Sequence, residues 1–253
     1  MYRFFKRFLD IVLSFTGILA LSWLFLILAI MVGFANGFPI IFKQPRPGKN
    51  GKIFMLYKFR SMTNKKDANG NLLPDSQRIT KIGKFIRVTS LDELPQLFNI
   101  LKGDMSIIGP RPRLVKDVVF YKDETSLKVR PGLVGLREVN GHNNNTWESS
   151  FYFDKVYVEK MSFMLDIKIF FKTFKVLLTR TGTNSGEVDI KDYYYGDYLL
   201  RTQKISFEEY NQKMKEAKML EKSFLMYRNM NKKLLIKNEQ LEEDFDFEKK
   251  IIK

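Results

Sequence analysis

The stretch "IVLSFTGILALSWLFLILAIMVGFA", residues 11–35, decides the fold, because it fixes which solvent the start of the chain meets. It lies within 32 consecutive residues, Ile11 to Phe42, that carry no charge. Roughly 20 apolar residues suffice to cross a bilayer, so the run is long enough. It is too long for the core of a signal peptide, and no small-residue cleavage pattern follows it. A membrane segment over residues 1–42 is the expectation; a wholly buried helix of a soluble protein is the alternative. Arg3, Lys6 and Arg7 precede the run, and Lys43, Arg46, Lys49 and Lys52 follow it. Basic flanks favour the cytoplasmic side, and here both ends claim it. A helix that enters, breaks and returns to the same face satisfies both, although snorkelling Lys and Arg leave a spanning helix compatible with the charges. Ser22, or Ser14, Thr16 and Gly17, or packing would supply the break, since kinks without proline occur at Gly and Ser sites.

Composition narrows the chemistry. The 253 residues include no cysteine, which excludes disulfides and thiolate metal sites, and a single histidine, His142, which argues against a His-based zinc site or a Ser-His-Asp triad. Of the net charge of +15, residues 1–130 carry +13 (22 basic, 9 acidic). A basic first half implies an anionic partner: a phosphorylated small molecule, a lipid headgroup or nucleic acid. Nucleic-acid binding would need a reading helix or a stacking sheet, and the sequence offers neither.

Beyond the apolar run, "PIIFKQ" and "KIFMLYKFRSM" read as two strands separated by the turn-rich "PRPGKNG". A polar loop follows, then a basic helical or extended piece "ITKIGKFIRVTS", and then "ELPQLFNILKG", an amphipathic helix closed by Gly103. "DMSIIGPRPRLV" reads as a loop, residues 114–129 as helical, and "RPGLVGLREVNGHNNN" as a loop with room for one strand. Residues 147–180 form one or two amphipathic helices rich in phenylalanine, suited either to a membrane surface or to ordinary core packing. The expected division is a membrane segment over 1–42, a catalytic domain over 43–185, and a helical or partly disordered extension over 186–253. The fold class is α/β-type but mainly helical.

The stretch "TSLDELPQLFNILKGDMSIIGPRPR" sets the acids Asp92 and Glu93 among basic residues. One reading is structural: Ser90 and Glu93 have capping-box spacing, and Asp92 is a good N-cap ahead of Pro95. The other is chemical. A carboxylate at a helix start among Arg and Lys is expected to stay ionised and can attack phosphorus. Arg111 and Arg113 on the proline-stiffened "GPRPR", and Lys58 and Arg60 in "YKFRSM", are candidate phosphate ligands, arginine through its planar fork.

In order along the chain, "KRFLD", "QPRPG", "YKFRSM", "SLDELPQLFNILKGDMSIIGPRP", "RPGLVGLREVNG" and "SFMLDIKIF" resemble the bacterial sugar transferases, the small monotopic phosphoglycosyl transferases, over residues 3–182. The resemblance implies transfer of a sugar-1-phosphate from a UDP-sugar to a polyprenol phosphate with release of UMP. It further implies Mg2+, a re-entrant N-terminal helix and a catalytic region on the cytoplasmic face of the bacterial inner membrane. By the same resemblance Asp92 is the nucleophile, Glu93 assists with the metal, and Lys58, Arg87 and Arg111 form the cationic site. Asp166 matches the aspartate of a late "SFxxD" motif. This chain departs from the family pattern in three places. Ser22-Trp23 stands where a Ser-Pro break is common, and Gly135–His142, with Asn140 and His142, replaces "GWAQVNGR" near the sugar or nucleotide. The extension beyond residue 186 lies outside the pattern. A non-catalytic, membrane-anchored basic scaffold for anionic lipid or nucleic acid is the competing class.

Overall fold

The computed structural model describes residues 2–121, 123–140, 146–179 and 194–251, with side chains described outside 177–179 and 232–251. It is mostly helical, with two small two-stranded sheets among the described residues. The helices are α1 (Tyr2–Ala20), α2 (Ser22–Asn36), α3 (Asp75–Arg78), α4 (Lys81–Val88), α5 (Gln96–Lys102), α6 (Val115–Val118), α7 (Trp147–Lys160), α8 (Phe163–Thr179), α9 (Tyr195–Arg201) and α10 (Phe207–Ile251). The strands are β1 (Ile41–Pro47), β2 (Ile53–Phe59), β3 (Ser106–Ile108) and β4 (Gly132–Val134).

No single described helix is long and apolar enough to cross a membrane, and α1 and α2 are bent by 65° across Leu21. The break falls one residue before Ser22, which opens α2. Leu21 still donates to the Gly17 carbonyl at 3.0 Å and accepts from Phe25 at 2.9 Å, so the turn bends without stranding the Leu21 backbone. Thr16 Oγ1 donates to the Val12 carbonyl at 2.8 Å, the kind of back-bonding that bends helices. Packing directs the bend: Leu28 and Val32 of α2 are buried against Phe59 and Ile86. The opposite faces stay bare, with Phe4, Phe8, Phe15, Trp23, Leu26 and Phe34 all exposed.

Two compact units emerge, one from the described residues of 1–114 and 121–193, the other from 115–120 and 194–251. In the first, β1 and β2 form an antiparallel hairpin with Ile41 opposite Phe59 and Pro47 opposite Ile53. The left-handed pair Asn50 and Gly51 turns it, as the Asn-Gly signal predicts. Helix α5 then lies against β2. Asn99, fully buried, donates to the Met55 carbonyl at 2.7 Å and accepts from the Tyr57 N–H at 3.0 Å. One side chain thus stands in for a third strand. Phe54, Leu56, Leu97, Ile100 and Met105 close the core around it, each burial worth about 1.5–3 kcal/mol.

Helix α5 ends at Gly103, left-handed at φ +94°, as expected of a C-cap glycine. Its last carbonyls are taken by Arg7, which donates to Ile100 O at 2.6 Å and Leu101 O at 2.9 Å. Asp10, also on α1, accepts from Ser106 Oγ at 3.0 Å and the Ile107 N–H at 2.9 Å. The "KRFLD" motif therefore fastens the first helix to α5 and β3. The loop expected over "DMSIIG" is instead strand β3, paired in parallel with β4. The helix expected over 114–129 shrinks to α6 and a short 3-10 turn, Glu124–Lys128. In the second unit α6, α9 and α10 pack together, with the Tyr195 N–H donating to Asp117 at 3.0 Å and Phe120 stacked on Tyr210.

Candidate active site

The acid pair sits in a 3-10 turn, Leu91–Glu93, between α4 and α5. Ser90 enters it in the left-handed region, φ +56°, a conformation that costs a non-glycine residue about 1 kcal/mol. Neither capping reading holds. Ser90 makes no side-chain cap bond, and α5 begins at Gln96 behind Pro95, again without one. Asp92 is 7 % exposed, and its carboxylate accepts no hydrogen bond among the described residues.

β2 delivers the nearest cation. Lys58 Nζ lies 2.5 Å from Glu93 Oε1 and 3.9 Å from Asp92 Oδ2. Arg111, half-exposed beyond β3, reaches Glu93 at 3.6 Å and Glu138 at 3.7 Å. Arg46, Gln96 and Gly132 line the same cleft with Lys58, Glu93 and Arg111. The two acids are held differently. Burial pushes the Asp92 carboxyl up; Lys58 pulls it down, Glu93 pushes it further up, and Arg87 and Arg111 pull it down, for a net rise. Burial also pushes on Glu93, but Arg111 and Lys58 outweigh it and hold Glu93 below its usual range. The sequence led us to expect cations and a helix end to dominate at Asp92. Burial dominates instead, because the acid lies four residues ahead of α5 and under protein.

Of the predicted site residues, the structure gathers Lys58, Asp92, Glu93 and Arg111. Arg87, on α4, stands by, its Nε donating to Ser61 Oγ at 2.7 Å while its charge acts on Asp92. Arg60 turns away and donates to the Phe38 carbonyl at 2.8 Å. Arg113 is buried on Asp154 at 2.5 Å, among the rings of Tyr121, Trp147 and Phe151. Asp166, on α8, accepts from Lys6 at 2.5 Å, from Tyr157 at 2.8 Å and from Tyr2. Asn140 is exposed and accepts from Lys172 at 2.8 Å. His142 lies outside the described residues. Sequence reasoning missed Gln96 and Arg46 as cleft residues, although "DELPQL" and "QPRPG" contain them, and missed Glu138 as a partner of Arg111.

No group of three or more carboxylate or imidazole side chains converges among the described residues. Two adjacent carboxylates suit Mg2+, which commonly takes one or two from protein and completes its shell with water and substrate phosphate oxygens. A buried carboxylate 3.9 Å from Lys58, a neighbouring carboxylate held ionised in the cleft, and cations from three segments suit phosphoryl-group transfer. A sequence profile described as "Bacterial sugar transferase" matches residues 1–180, so the chain belongs to the bacterial sugar transferase family. It is 44 % identical over 179 residues to the uncharacterized sugar transferase EpsL of Bacillus subtilis, covering 70 % of this chain and 89 % of EpsL. It is 42 % identical over 199 residues to the undecaprenyl-phosphate galactose phosphotransferase of Salmonella typhimurium, covering 71 % of this chain and 42 % of that protein. It is 38 % identical over 190 residues to the UDP-glucose:undecaprenyl-phosphate glucose-1-phosphate transferase of Klebsiella pneumoniae, covering 70 % of this chain and 41 % of that one. The chain thus spans less than half the length of these last two relatives. Family membership makes it a transferase, and the scaffold alternative finds no support.

Proposed function

We propose that this transferase moves a sugar-1-phosphate from a UDP-sugar to a polyprenol phosphate, undecaprenyl phosphate in the first instance, by two displacements at Asp92. An Asp92 oxygen attacks the sugar-bearing phosphorus, the bond to the bridging oxygen breaks, and UMP leaves with the electron pair. A polyprenol phosphate oxygen then attacks the same phosphorus and restores the Asp92 carboxylate. The observation that carries the reading is the buried Asp92 carboxylate, free of hydrogen bonds, beside Lys58. A buried carboxylate that spends no hydrogen bond on a donor is a better nucleophile than a solvated one, and Lys58, Arg87 and Arg111 keep its charge available. Arg111 offers its fork to the diphosphate. Glu93, held ionised, fixes Lys58 and Arg111 in place. Mg2+, held by Glu93 and Asp92, would offset the charge of the diphosphate when bound.

The bent α1–α2 pair with its bare apolar face, together with the exposed Phe163, Met164, Phe171 and Phe174 of α8, supports a re-entrant anchor and an interfacial helix. The cleft then serves the cytoplasmic face of the inner membrane. The test is UMP release and a trapped phosphosugar adduct in purified protein given UDP-sugar without acceptor. Asp92→Asn should fold, release no UMP and form no adduct; surviving activity would refute the nucleophile.

A further inference from the structure

The geometry points to a second phosphate site, away from Asp92, that holds the headgroup of an anionic phospholipid. The inference rests on the membrane reading above. Where the start of α1 meets the β1–β2 turn and the 3-10 turn at 124–128 there is an open cleft of about 430 Å3, counted to its mouth. Six cations line it, Arg3, Lys6, Arg7, Lys49, Lys128 and Arg130, against one carboxylate, Asp10. They fall into two groups.

The floor is fixed. Lys6 is held by Asp166, Arg7 by the carbonyls closing α5, and Arg130 donates to Gly103 O at 2.7 Å. Asp10 is spent on β3. The rim is free: Arg3, Lys49 and Lys128 are exposed and have no ion pair or side-chain hydrogen bond among the described residues. Three unpaired cations over a positively charged floor repel one another unless an anion sits between them. None of them touches Asp92 or Glu93, so the catalytic cleft gives no reason for their convergence.

The neighbours select the anion's source. Phe4 is 85 % exposed and Phe8 57 % on the same turns of α1, and Phe5 meets Phe163 of α8 edge-on at 5.6 Å. Two helices with bare apolar faces converge beside the cleft, which places it where the headgroup phosphates of a surrounding leaflet lie. A phosphate tethered to acyl chains satisfies both the rim cations and those rings. Free phosphate satisfies only the cations, and the acceptor polyprenol phosphate would have to serve Asp92.

The test uses the full chain in neutral detergent, titrated with dioctanoyl phosphatidylglycerol, dioctanoyl phosphatidylcholine or inorganic phosphate, reading thermal stabilisation. Saturable stabilisation by phosphatidylglycerol alone is expected. Lys49→Gln with Lys128→Gln should weaken it by about tenfold or more per lysine, as for other charge-assisted hydrogen bonds. Lys65→Gln with Lys66→Gln, an equal charge loss on an exposed loop, should leave it within about twofold. Equal response of both double variants, or stabilisation by inorganic phosphate alone, would overturn the lipid site. So would a tenfold rise in acceptor KM in the Lys49/Lys128 variant, which would make the cleft the acceptor's. Flotation on phosphatidylcholine vesicles checks the membrane reading separately. A wild-type protein that fails to float refutes that reading, whereas one that floats without the lysine-dependent preference refutes only this site.

Discussion

Asp166→Asn separates a residue that acts on substrate from one that holds the scaffold. In the structure Asp166 joins three elements: it accepts from Lys6 and Tyr2 of α1 and from Tyr157 of α7. Lys6 and Asp166 side chains are only 13 % and 9 % exposed. Asparagine keeps one acceptor oxygen but leaves the Lys6 ammonium without its counter-charge. Breaking a buried pair from one side costs about 3–5 kcal/mol. The partial exposure of Lys6 and the retained acceptor argue for the lower end, about 3 kcal/mol. For a unit of this size each kcal/mol moves the melting point by about 2–4 °C, so a fall of about 6–12 °C is expected in detergent. At a temperature where the variant is folded, KM for UDP-sugar should stay within about twofold of wild type. Lys6→Met combined with Asp166→Asn should recover part of the loss, because no charge is then stranded. An Asp166→Asn protein with wild-type melting but a large rise in KM would refute this reasoning and put Asp166 on the substrate.

Arg111→Lys should lower kcat/KM by about 10- to 150-fold, since lysine keeps the charge and loses the fork; full activity in steady-state UMP release would rule out bidentate recognition there. Gly132→Ala should yield little folded protein, because its Cβ would lie 2.1 Å from the Gly109 nitrogen where β4 crosses the "IGPRPR" loop. Expression and size-exclusion profiles read the effect, and a well-folded, active variant would show that this close approach is not required.

Local chemistry was legible in the sequence, and so were the parts of the site that local chemistry builds. Asn50-Gly51 turned the hairpin, Gly103 ended α5, and the apolar run bent beside Ser22. Lys58, Asp92, Glu93 and Arg111 came together as the motifs implied. What escaped was non-local or depended on burial. β3 and β4 are three residues each and pair across a 26-residue separation, so neither carries a periodicity of its own. Asn99 reads as an ordinary helical asparagine until β2 is beside it. Arg113 looks like a twin of Arg111 in "GPRPR", yet Asp154, 41 residues later, draws it under three aromatic rings. Two arginines two positions apart thus meet different surroundings, and only tertiary packing distinguishes them.

The same dependence on packing gives the two acids different environments. Asp92 and Glu93 are neighbours in sequence and share the same cations, so composition assigns them no difference. Their positions in the turn do. Lys58 approaches Glu93 at 2.5 Å and Asp92 at only 3.9 Å, and Arg111 reaches Glu93 at 3.6 Å. Glu93 is therefore saturated with positive charge and held ionised, while Asp92 is desolvated and left without a donor. Paired titratable groups whose environments push them apart commonly mark distinct chemical roles. A carboxylate already neutralised by two cations is a poor attacker, because those contacts must loosen as its charge moves onto phosphorus. One that is buried and unbonded loses no hydrogen bond when it reacts. In the proposed reaction this difference makes Asp92 the reactive member and Glu93 the residue that holds the cations in place for it.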